Sequence, residues 1–212
     1  MKKLKRIMLA VVIVLFVWFG LVGLIMNHIF PASPETLAQQ LTPGYRFSGK
    51  QEGFSHTVTE VRNGWVWLRS ELAPHAPGPP EHIHESFDET FRVEKGTLSL
   101  MLNGKKTELK AGESVTIPRG TPHKPFNETN EIVVLYDSTG KAGTMPVEFA
   151  AGLSALYIEM DKAGDPKSGS VMLQIAAQGN SFDTWVTEAP AGAQKFIRWM
   201  LGPVARLCGY GY

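Results

Sequence analysis

The chain has 212 residues, of which 43% are hydrophobic and 19% are charged. This composition is typical of a globular protein with a real core, and the length allows one moderate domain with appendages. Lys2, Lys3, Lys5 and Arg6 carry four of the positive charges, and with these set aside the net charge of +1 becomes −3. Nucleic-acid binding is therefore not expected. The single cysteine, Cys208, excludes an intramolecular disulfide and disfavours a zinc site made of thiolates.

The first predicted element is an apolar helix over residues 7–26. This run of 20 residues carries no charge, and at about 1.5 Å per residue it would span a hydrocarbon core of about 30 Å. It is longer than the apolar region of a cleaved signal peptide, and residues 27–33 offer a poor cleavage site, so an uncleaved signal anchor is favoured over a cleaved peptide or a buried soluble helix. The basic residues 1–6 predict a cytoplasmic N-terminus, with the rest of the chain periplasmic or extracellular.

A β domain is predicted over residues 44–139, after a proline-punctuated linker over residues 27–43. Short β-favouring runs such as Trp65–Leu68 alternate with turn signals, among them Asn63-Gly64 and Asn103-Gly104. Asn-Gly is the strongest two-residue hairpin signal, because both residues tolerate a positive φ. Many short strands at this spacing predict an antiparallel barrel or sandwich.

Four side chains in this domain form a candidate metal-binding set: His82, His84, Glu89 and His123. His82 and His84 are two residues apart, so on a strand they point the same way. Glu89 can join them only if the polar stretch 85–88 turns or bulges, and His123 comes from a different hairpin. Three imidazoles and one carboxylate suit a divalent transition metal that keeps open coordination positions: Fe, Mn, Ni, Co, Cu or Zn.

The two segments that carry these residues resemble the two motifs of the cupin superfamily. The first motif is Gly-x5-His-x-His-x3–4-Glu-x6-Gly, and it is matched by His82, His84, Glu89 and Gly96. The second motif is Gly-x5-Pro-x-Gly-x2-His-x3-Asn, and it is matched by Gly112, Pro118, Gly120, His123 and Asn127. One departure is visible, because the leading glycine of the first motif falls on Ala76, with Gly78 two residues later.

The resemblance covers about residues 44–138 and implies a mainly β fold, the double-stranded β-helix or jelly-roll cupin barrel, with a metal at its centre. Cupins that have lost the metal usually show the ligand histidines replaced, whereas all four positions are intact in this sequence. Metal binding is therefore favoured over an empty barrel. Of the other histidines, His56 is expected on a strand surface and His75 in solvent.

The segment 140–212 has a helical texture. We predict a first helix with Thr144 as N-cap that runs to Gly164, a second helix over Ser170–Gln178, and a third over Ala191–Cys208. The third has a broad apolar face formed by Phe196, Trp199, Met200, Val204 and Leu207. Such a basic amphipathic helix can lie in a membrane interface, but packing on the barrel is the more usual outcome and is favoured.

Two classes of function follow. The leading hypothesis is a metal-dependent enzyme that acts on a small molecule outside the cytoplasm, by oxygenase, isomerase or lyase chemistry. The alternative is a non-catalytic, membrane-tethered module that binds or senses a small ligand, because no second acid/base residue stands out near the metal set. A structural protein with an inert metal explains the ligands least well. A homodimer is possible, and the substrate is not identified by the sequence.

Overall fold

The computed structural model describes residues 2–33, 38–136 and 144–211, in which two antiparallel sheets stand beside four α-helices. The helices are α1 Lys2–Ile29, α2 Val147–Ala163, α3 Gly169–Gln178 and α4 Ala191–Leu207, with a 3₁₀ turn at Gly179–Ser181. The strands are β1 Arg46–Gly49, β2 Phe54–Arg62, β3 Trp65–Leu72, β4 His82–Ile83, β5 Glu89–Lys95, β6 Thr97–Leu102, β7 Lys105–Lys110, β8 Ser114–Ile117, β9 His123–Phe126, β10 Val133–Leu135, β11 Met145–Pro146 and β12 Trp185–Val186.

The strands of the described ranges divide into sheets of seven and five. The larger follows the order β1-β2-β3-β10-β5-β8, with β11 also paired to β3, and the smaller follows β12-β4-β9-β6-β7. The predicted hairpins are confirmed: Asn63 and Gly64 join β2 to β3, and Asn103 and Gly104 join β6 to β7, all four with positive φ. Positive φ at both turn positions matches the twist of the flanking strands.

A single hydrophobic core joins the two sheets and α2. Leu68 and Leu72 of the larger sheet, Leu98 and Leu100 of the smaller sheet, and Phe149 of α2 belong to one buried cluster. Burial of apolar side chains is the dominant favourable term in folding. The antiparallel layers therefore form one packed unit, and their inner faces surround the residues discussed below.

Gly78 explains the departure from the expected glycine position. Its φ is +67°, and a Cβ at this residue would lie 1.9 Å from the backbone oxygen of Pro125 in β9. Ala76, by contrast, is buried, and its methyl group occupies the space beside Gly53, where a Cβ at residue 53 would lie 2.6 Å from it. The close approach of two backbones thus occurs at residue 78, and only glycine fits there.

We expect Gly78→Ala to lower the free energy of unfolding by about 3 kcal/mol, because it combines a strained φ with a clash against backbone. Gly64→Ala is the matched control: its φ is +76°, but nothing lies within 4 Å of the added Cβ. The control should cost only about 1 kcal/mol from strain. Thermal unfolding of the two variants measures the difference, and equal destabilisation would contradict the close-approach argument.

The helices after the sheets lie where the sequence predicts them, with one correction at the start of α2. Thr144 is not the N-cap: its backbone N–H donates to Val66, and its hydroxyl accepts from the N–H of Leu68. Thr144 therefore extends the pairing of the chain with β3, and α2 begins after Pro146. Gly164 ends α2 in the left-handed conformation, with φ of 69°.

The helix α1 is long and apolar enough, by length and composition, to cross a membrane over Lys5–Ile29, and nearly all of this segment is exposed. It continues three residues beyond the predicted end of the apolar run, into the predicted linker. Leu41, near the other end of that linker, is buried in the core cluster. The predicted boundary between residues 139 and 140 lies outside the described residues.

One side of α1 packs against α4, and the two helices run in the same direction. The rings of Phe16 and Phe196 stack with centroids 5.2 Å apart, and the ring of Trp199 lies against Gly23, where a Cβ would be 2.8 Å from it. The Asn27 side-chain amide donates to the Trp199 backbone oxygen at 2.8 Å. Small residues allow this close approach of a helix and an aromatic ring.

Arg206 joins the C-terminal end of α4 to the C-terminal end of α1 and to α3. Its guanidinium donates to the backbone oxygens of Phe30 and Ala177 and to the side-chain oxygen of Asn27, at 2.7, 2.7 and 2.8 Å. The prediction that α4 packs on the β domain is thus wrong. The helix packs mainly on α3 and α1, because Phe196 and Trp199 meet α1 rather than the β domain.

Candidate metal centre

The four predicted ligands are brought together from both sheets. His82 lies in β4 directly opposite His123 of β9, and His84 follows β4 on the same side. Glu89 opens β5, which belongs to the other sheet. Residues 85–88 turn from one sheet to the other. Because of this turn, Glu89 can face the two histidines although it lies an odd number of residues after them, as the sequence predicted.

The ligand atoms of the set all lie within 4.8 Å of one another, and all four side chains are buried. The Glu89 Oε2 atom is 2.8 Å from the Nε2 of His123 and 3.6 Å from the Nε2 of His84. His123 is only 1% exposed and His84 only 2%. This separation of donor atoms matches the space that one divalent ion needs.

The tautomer of each histidine is set by a backbone carbonyl. The Nδ1 atoms of His82, His84 and His123 donate to the carbonyls of residues 80, 183 and 121, at 2.9, 2.5 and 2.9 Å. A carbonyl only accepts, so the proton of each neutral ring lies on Nδ1 and its Nε2 carries a lone pair. Metal-bound histidines are commonly oriented in this way by their other ring nitrogen.

The charges of the cluster are coupled. Burial, together with the neighbouring His84 and His123, lowers the pKa of His82 to about 3, so its imidazole is neutral at physiological pH. Burial alone would raise the pKa of Glu89, but the imidazoles of His123 and His84 outweigh it and hold that pKa well below its ordinary range. Burial alone would lower the pKa of His123, but the neighbouring Glu89 carboxylate outweighs burial and raises that pKa.

These residues fit a metal ion because electron-rich atoms converge without hydrogen-bond partners. The Nε2 atoms of His84 and His123 and the Oε2 atom of Glu89 are buried, and none has a hydrogen bond of good geometry within the described chain. Unpaired buried polar atoms are costly. A divalent cation held by the four side chains would satisfy all of them at once, which proton sharing between Glu89 and one imidazole cannot do.

Asp183, which precedes β12, orders the turn that carries the ligands. Its carboxylate accepts hydrogen bonds from the backbone N–H groups of Glu85 and Ser86, from the Ser86 hydroxyl and from the Trp185 indole N–H. Burial would raise the pKa of Asp183, but these donors outweigh it and lower the value. Because its own carbonyl accepts from His84, Asp183 fixes both the ring of one ligand and the turn that leads to Glu89.

Arg198 of α4 holds the segment around Asp183 in turn. Its guanidinium donates to the backbone oxygens of Phe182 and Thr184, both at 2.6 Å, and lies 4.1 Å from the ring centroid of Trp185. The sequence offered no signal for either residue, since the Asp183–His84 contact spans 99 positions and matches no motif spacing. The helical extension therefore helps to hold the candidate metal-binding cluster in place.

A cavity of about 500 Å³ adjoins the cluster and is lined by His82, His84 and Glu89. Most of its remaining wall is apolar and comes from the sheets, α2, α3 and α4. Cavities of this size accommodate small organic ligands. Three of the candidate metal ligands thus face a space in which a small molecule could reach them.

The other polar side chains that line the same cavity include Glu52, His56 and Tyr157. The Tyr157 hydroxyl donates to Glu52 at 2.9 Å, yet burial dominates and raises the pKa of Glu52 to about 7. Burial lowers the pKa of His56 to about 4, although the charge of Glu89 opposes this. Its Nδ1 lies 2.7 Å from the Ser70 hydroxyl, and its buried Nε2 has no hydrogen-bond partner in the described ranges.

The expected surface position of His56 is therefore wrong. The side chain is 5% exposed, and it stacks against Tyr157 inside the molecule. A polar residue that faces a ligand cavity looks the same in sequence as one that faces solvent, so the alternation of β2 gave no warning. His75 is exposed as expected and pairs with Asn130 at 2.8 Å.

The remaining residues beside the motifs have structural roles. Asn127 is 2% exposed; its side-chain amide donates to the carbonyls of residues 73 and 131, and its oxygen accepts from the backbone N–H and the hydroxyl of Thr129. Asn127 thus fixes the loop after β9, which carries His123. Phe87 is buried and stacks on His84 with centroids 4.3 Å apart.

Comparison with protein families gives a match between residues 68–139 and the cupin domain model. The matched segment contains all four candidate ligands, four of the five strands of the smaller sheet and three complete strands of the larger one. Together with the antiparallel architecture, it supports assignment of this part of the chain to the cupin superfamily. A protein of Aquifex aeolicus (strain VF5), described as uncharacterized, is 43% identical over 54 residues, which are 26% of this chain and 44% of that protein.

Three solved structures are similar to part of this chain, each with a TM-score below 0.4. KdgF from Halomonas sp. is 20% identical, with a TM-score of 0.38 over 42% of this chain and 80% of that one. The polyketide cyclase RemF from Streptomyces resistomycificus is 24% identical, with a TM-score of 0.36 over 42% and 68%. A sugar phosphate isomerase of the cupin superfamily from Silicibacter pomeroyi is 20% identical, with a TM-score of 0.37 over 44% and 71%.

Proposed function

We propose that this cupin-domain protein is a metal-dependent enzyme that transfers protons on a small molecule, as an isomerase or lyase does. The observation that carries the proposal is a shared cavity, lined both by three of the four metal-binding candidates and by Glu52 and His56, whose pKa values are displaced by burial. Displaced pKa values in a cleft are typical of acid and base catalysts.

His82, His84, Glu89 and His123 are proposed to hold one Fe, Mn, Ni, Co, Cu or Zn ion within a jelly-roll barrel formed by the two sheets. Once bound, the ion would act as a Lewis acid that polarises a substrate oxygen. The protein's own contribution is orientation: three carbonyls hold the imidazoles, and Asp183 holds the turn before Glu89. The donor set does not discriminate among these metals.

Glu52 and His56 are proposed to handle protons in the cavity. With a pKa of about 7, Glu52 can either give or accept a proton near neutral pH, which is the range a general acid or base needs. His56 is neutral there, and its Nε2 is available to a ligand. These groups supply the second acid/base function that the sequence had not revealed.

The expected effect of Glu52→Gln is a change in the pH dependence of stability. A carboxyl pKa raised from 4.5 to about 7 contributes stability that is fully present below pH 4.5 and is lost as the pH rises through 7. The wild type should therefore lose about 3 kcal/mol relative to Glu52→Gln across this window. Melting temperatures of both proteins in detergent from pH 4 to pH 8 measure the effect, and parallel profiles would contradict it.

The proposed reaction is tested by incubating the metal-loaded full chain in D₂O with lipid and polar extracts of the source organism. Mass spectrometry should find a compound that changes or gains deuterium with the wild type but not with Glu52→Gln or His123→Ala. His75→Ala, altered at an exposed histidine, is the control and should retain the change. No difference between wild type and His123→Ala in either extract would overturn the enzymatic assignment.

We also propose that α1 anchors the protein in a membrane with a cytoplasmic N-terminus, and that the cupin domain lies in the periplasm or outside the cell. The support is the uncharged run 7–26 after four basic residues. Protease added to intact cells with a permeable outer envelope should remove the cupin domain. Its full protection there would contradict this orientation.

A second candidate function, a non-catalytic sensor, is favoured by one observation. A continuous set of contacts links Trp199 and Arg206, which touch α1, through Arg198 to the segment that holds His84. Such a connection could transmit the effect of ligand binding in the cavity to a partner in the membrane. Ligand-dependent stabilisation without any turnover in the extract experiment would select this function over the enzyme, and a homodimer stays a proposal for either.

A further inference from the structure

Part of the exposed lining of the cavity is apolar. Met172 of α3 and Ile197 and Leu201 of α4 line the cavity, and they are 50%, 48% and 39% exposed. A residue that both lines a cavity and meets solvent marks its opening. An apolar part of the opening therefore lies between α3 and α4, while the exposed side chains of Lys167 and Glu188 also line the cavity and add charge elsewhere on its rim.

An aromatic wall leads from this opening to the metal-binding set. Arg198, beside Ile197, lies over the ring of Phe182, which stacks on Phe149 with centroids 5.1 Å apart. The ring of Phe149 in turn meets that of His84 edge-on at 5.0 Å. The inner polar groups, Glu52 and His56 among them, thus stand at one end of a largely apolar passage.

The opening belongs to a larger apolar stripe along α4. Ile197, Leu201, Val204 and Leu207 recur at helical spacing and are all exposed. Contiguous exposed apolar residues mark a contact with a partner or a membrane. Of the four, Val204 and Leu207 do not line the cavity, so the stripe is not explained by the cavity alone.

The position of α1 indicates what covers the stripe. From Phe16 to Met26 an α-helix rises about 15 Å, which is half of a hydrocarbon core of about 30 Å. Phe16 stacks on Phe196, and Gly23 contacts Trp199. A bilayer that covers residues 7–26 therefore also covers the part of α4 that lies beside them, including Ile197.

We propose that the cavity takes the apolar chain of a bilayer-dissolved amphiphile, which enters from the membrane between α3 and α4. The chain would lie along Phe182 and Phe149, and the polar end would reach the metal ligands and Glu52. This inference rests on the proposed function, whose substrate class it names: a lipid-like molecule with an uncharged or weakly charged head. A water-soluble sugar or amino acid would leave the apolar wall without a partner.

The test uses the full chain reconstituted in phosphatidylcholine vesicles that contain hexadecanol with a terminal diazirine. Hexadecanol has an uncharged head and does not compete as an anionic metal ligand. After irradiation, peptide mass mapping should find label on α2 or the segment around Phe182, inside the cavity, as well as on α1. Label confined to α1 and the outside of α4 would overturn the proposal.

Two rim variants, Leu201→Arg and Ile197→Arg, should each lower the internal labelling at least tenfold while the labelling of α1 is unchanged. Val204→Arg is the matched control, because Val204 is on the same exposed stripe but does not line the cavity, and its internal labelling should equal that of the wild type. Equal effects of Leu201→Arg and Val204→Arg would contradict entry at the rim.

Metal content measured on the same samples separates this inference from the proposed function. Normal metal with no internal label overturns the lipid-like substrate and leaves the metal-dependent enzyme standing. Internal label in a protein that neither contains nor takes up metal supports the cavity's ligand class and overturns the enzyme. Unchanged metal in the rim variants also shows that they are folded.

Discussion

Replacing His123 with alanine should abolish metal retention: the full chain purified in detergent without added metal should fall from about one equivalent to below about a tenth. His123 is the most deeply buried of the four ligands, and its Nε2 is 2.8 Å from Glu89. Its loss leaves three donors, and one of these, the Glu89 carboxylate, has then lost its nearest partner. Elemental mass spectrometry measures the content, and the same loss is expected for His82→Ala and His84→Ala.

His75→Ala is the control for this experiment, because His75 is exposed and lies outside the cluster. It should retain the wild-type metal content. Normal metal content in both His82→Ala and His123→Ala would show that the four residues are not the site. The identity of the metal in the wild type would narrow the chemistry further.

Asp183→Ala should weaken metal binding by about 10- to 100-fold, although Asp183 is not a ligand. The variant keeps the carbonyl that accepts from His84 but loses the carboxylate that holds the N–H groups of Glu85 and Ser86. The turn that delivers Glu89 is then free to move. Competition with a chelator of known affinity measures the dissociation constant.

Asp165→Ala is the matched control for that change, because Asp165 also accepts from a nearby backbone N–H, that of Lys167, in an exposed turn. It should leave the metal affinity unchanged. An unaltered affinity in Asp183→Ala would mean that the turn 85–88 holds its shape without the carboxylate. The loop around Asp183 would then serve the stability of the extension alone.

The sequence predicted the clustering of the four candidate ligands and the two hairpins, because the patterns that signal them depend on residues that are close together in the chain. The His82–Glu89 segment carries its own strand spacing and turn, and Asn63-Gly64 and Asn103-Gly104 encode their turns locally through positive φ. The cupin motifs then relate the first segment to His123. Where a structural feature depends only on neighbouring residues, the sequence pattern was sufficient to predict it.

The supporting and polar residues of the cavity were not predictable in the same way. The contact of Tyr157 with Glu52 spans 105 positions, and that of Asp183 with Ser86 spans 97. The pKa of Glu52 is displaced by burial, which depends on how α2 closes over the sheets. The true partner of α4 was also hidden, because an amphipathic pattern identifies an apolar face and not the surface that meets it.

The dependence of His84 on the carbonyl of Asp183 has a consequence for biosynthesis. The ribosome makes His84 some 99 residues before Asp183, and Arg198, which steadies that segment, later still. A nascent chain that has emerged through residue 150 already has all four ligands but lacks the acceptor that orients one of them. We therefore expect tight metal loading to wait for the last part of the chain. If the domain is exported, the metal would be chosen from the pool of the destination compartment and not from that of the cytoplasm.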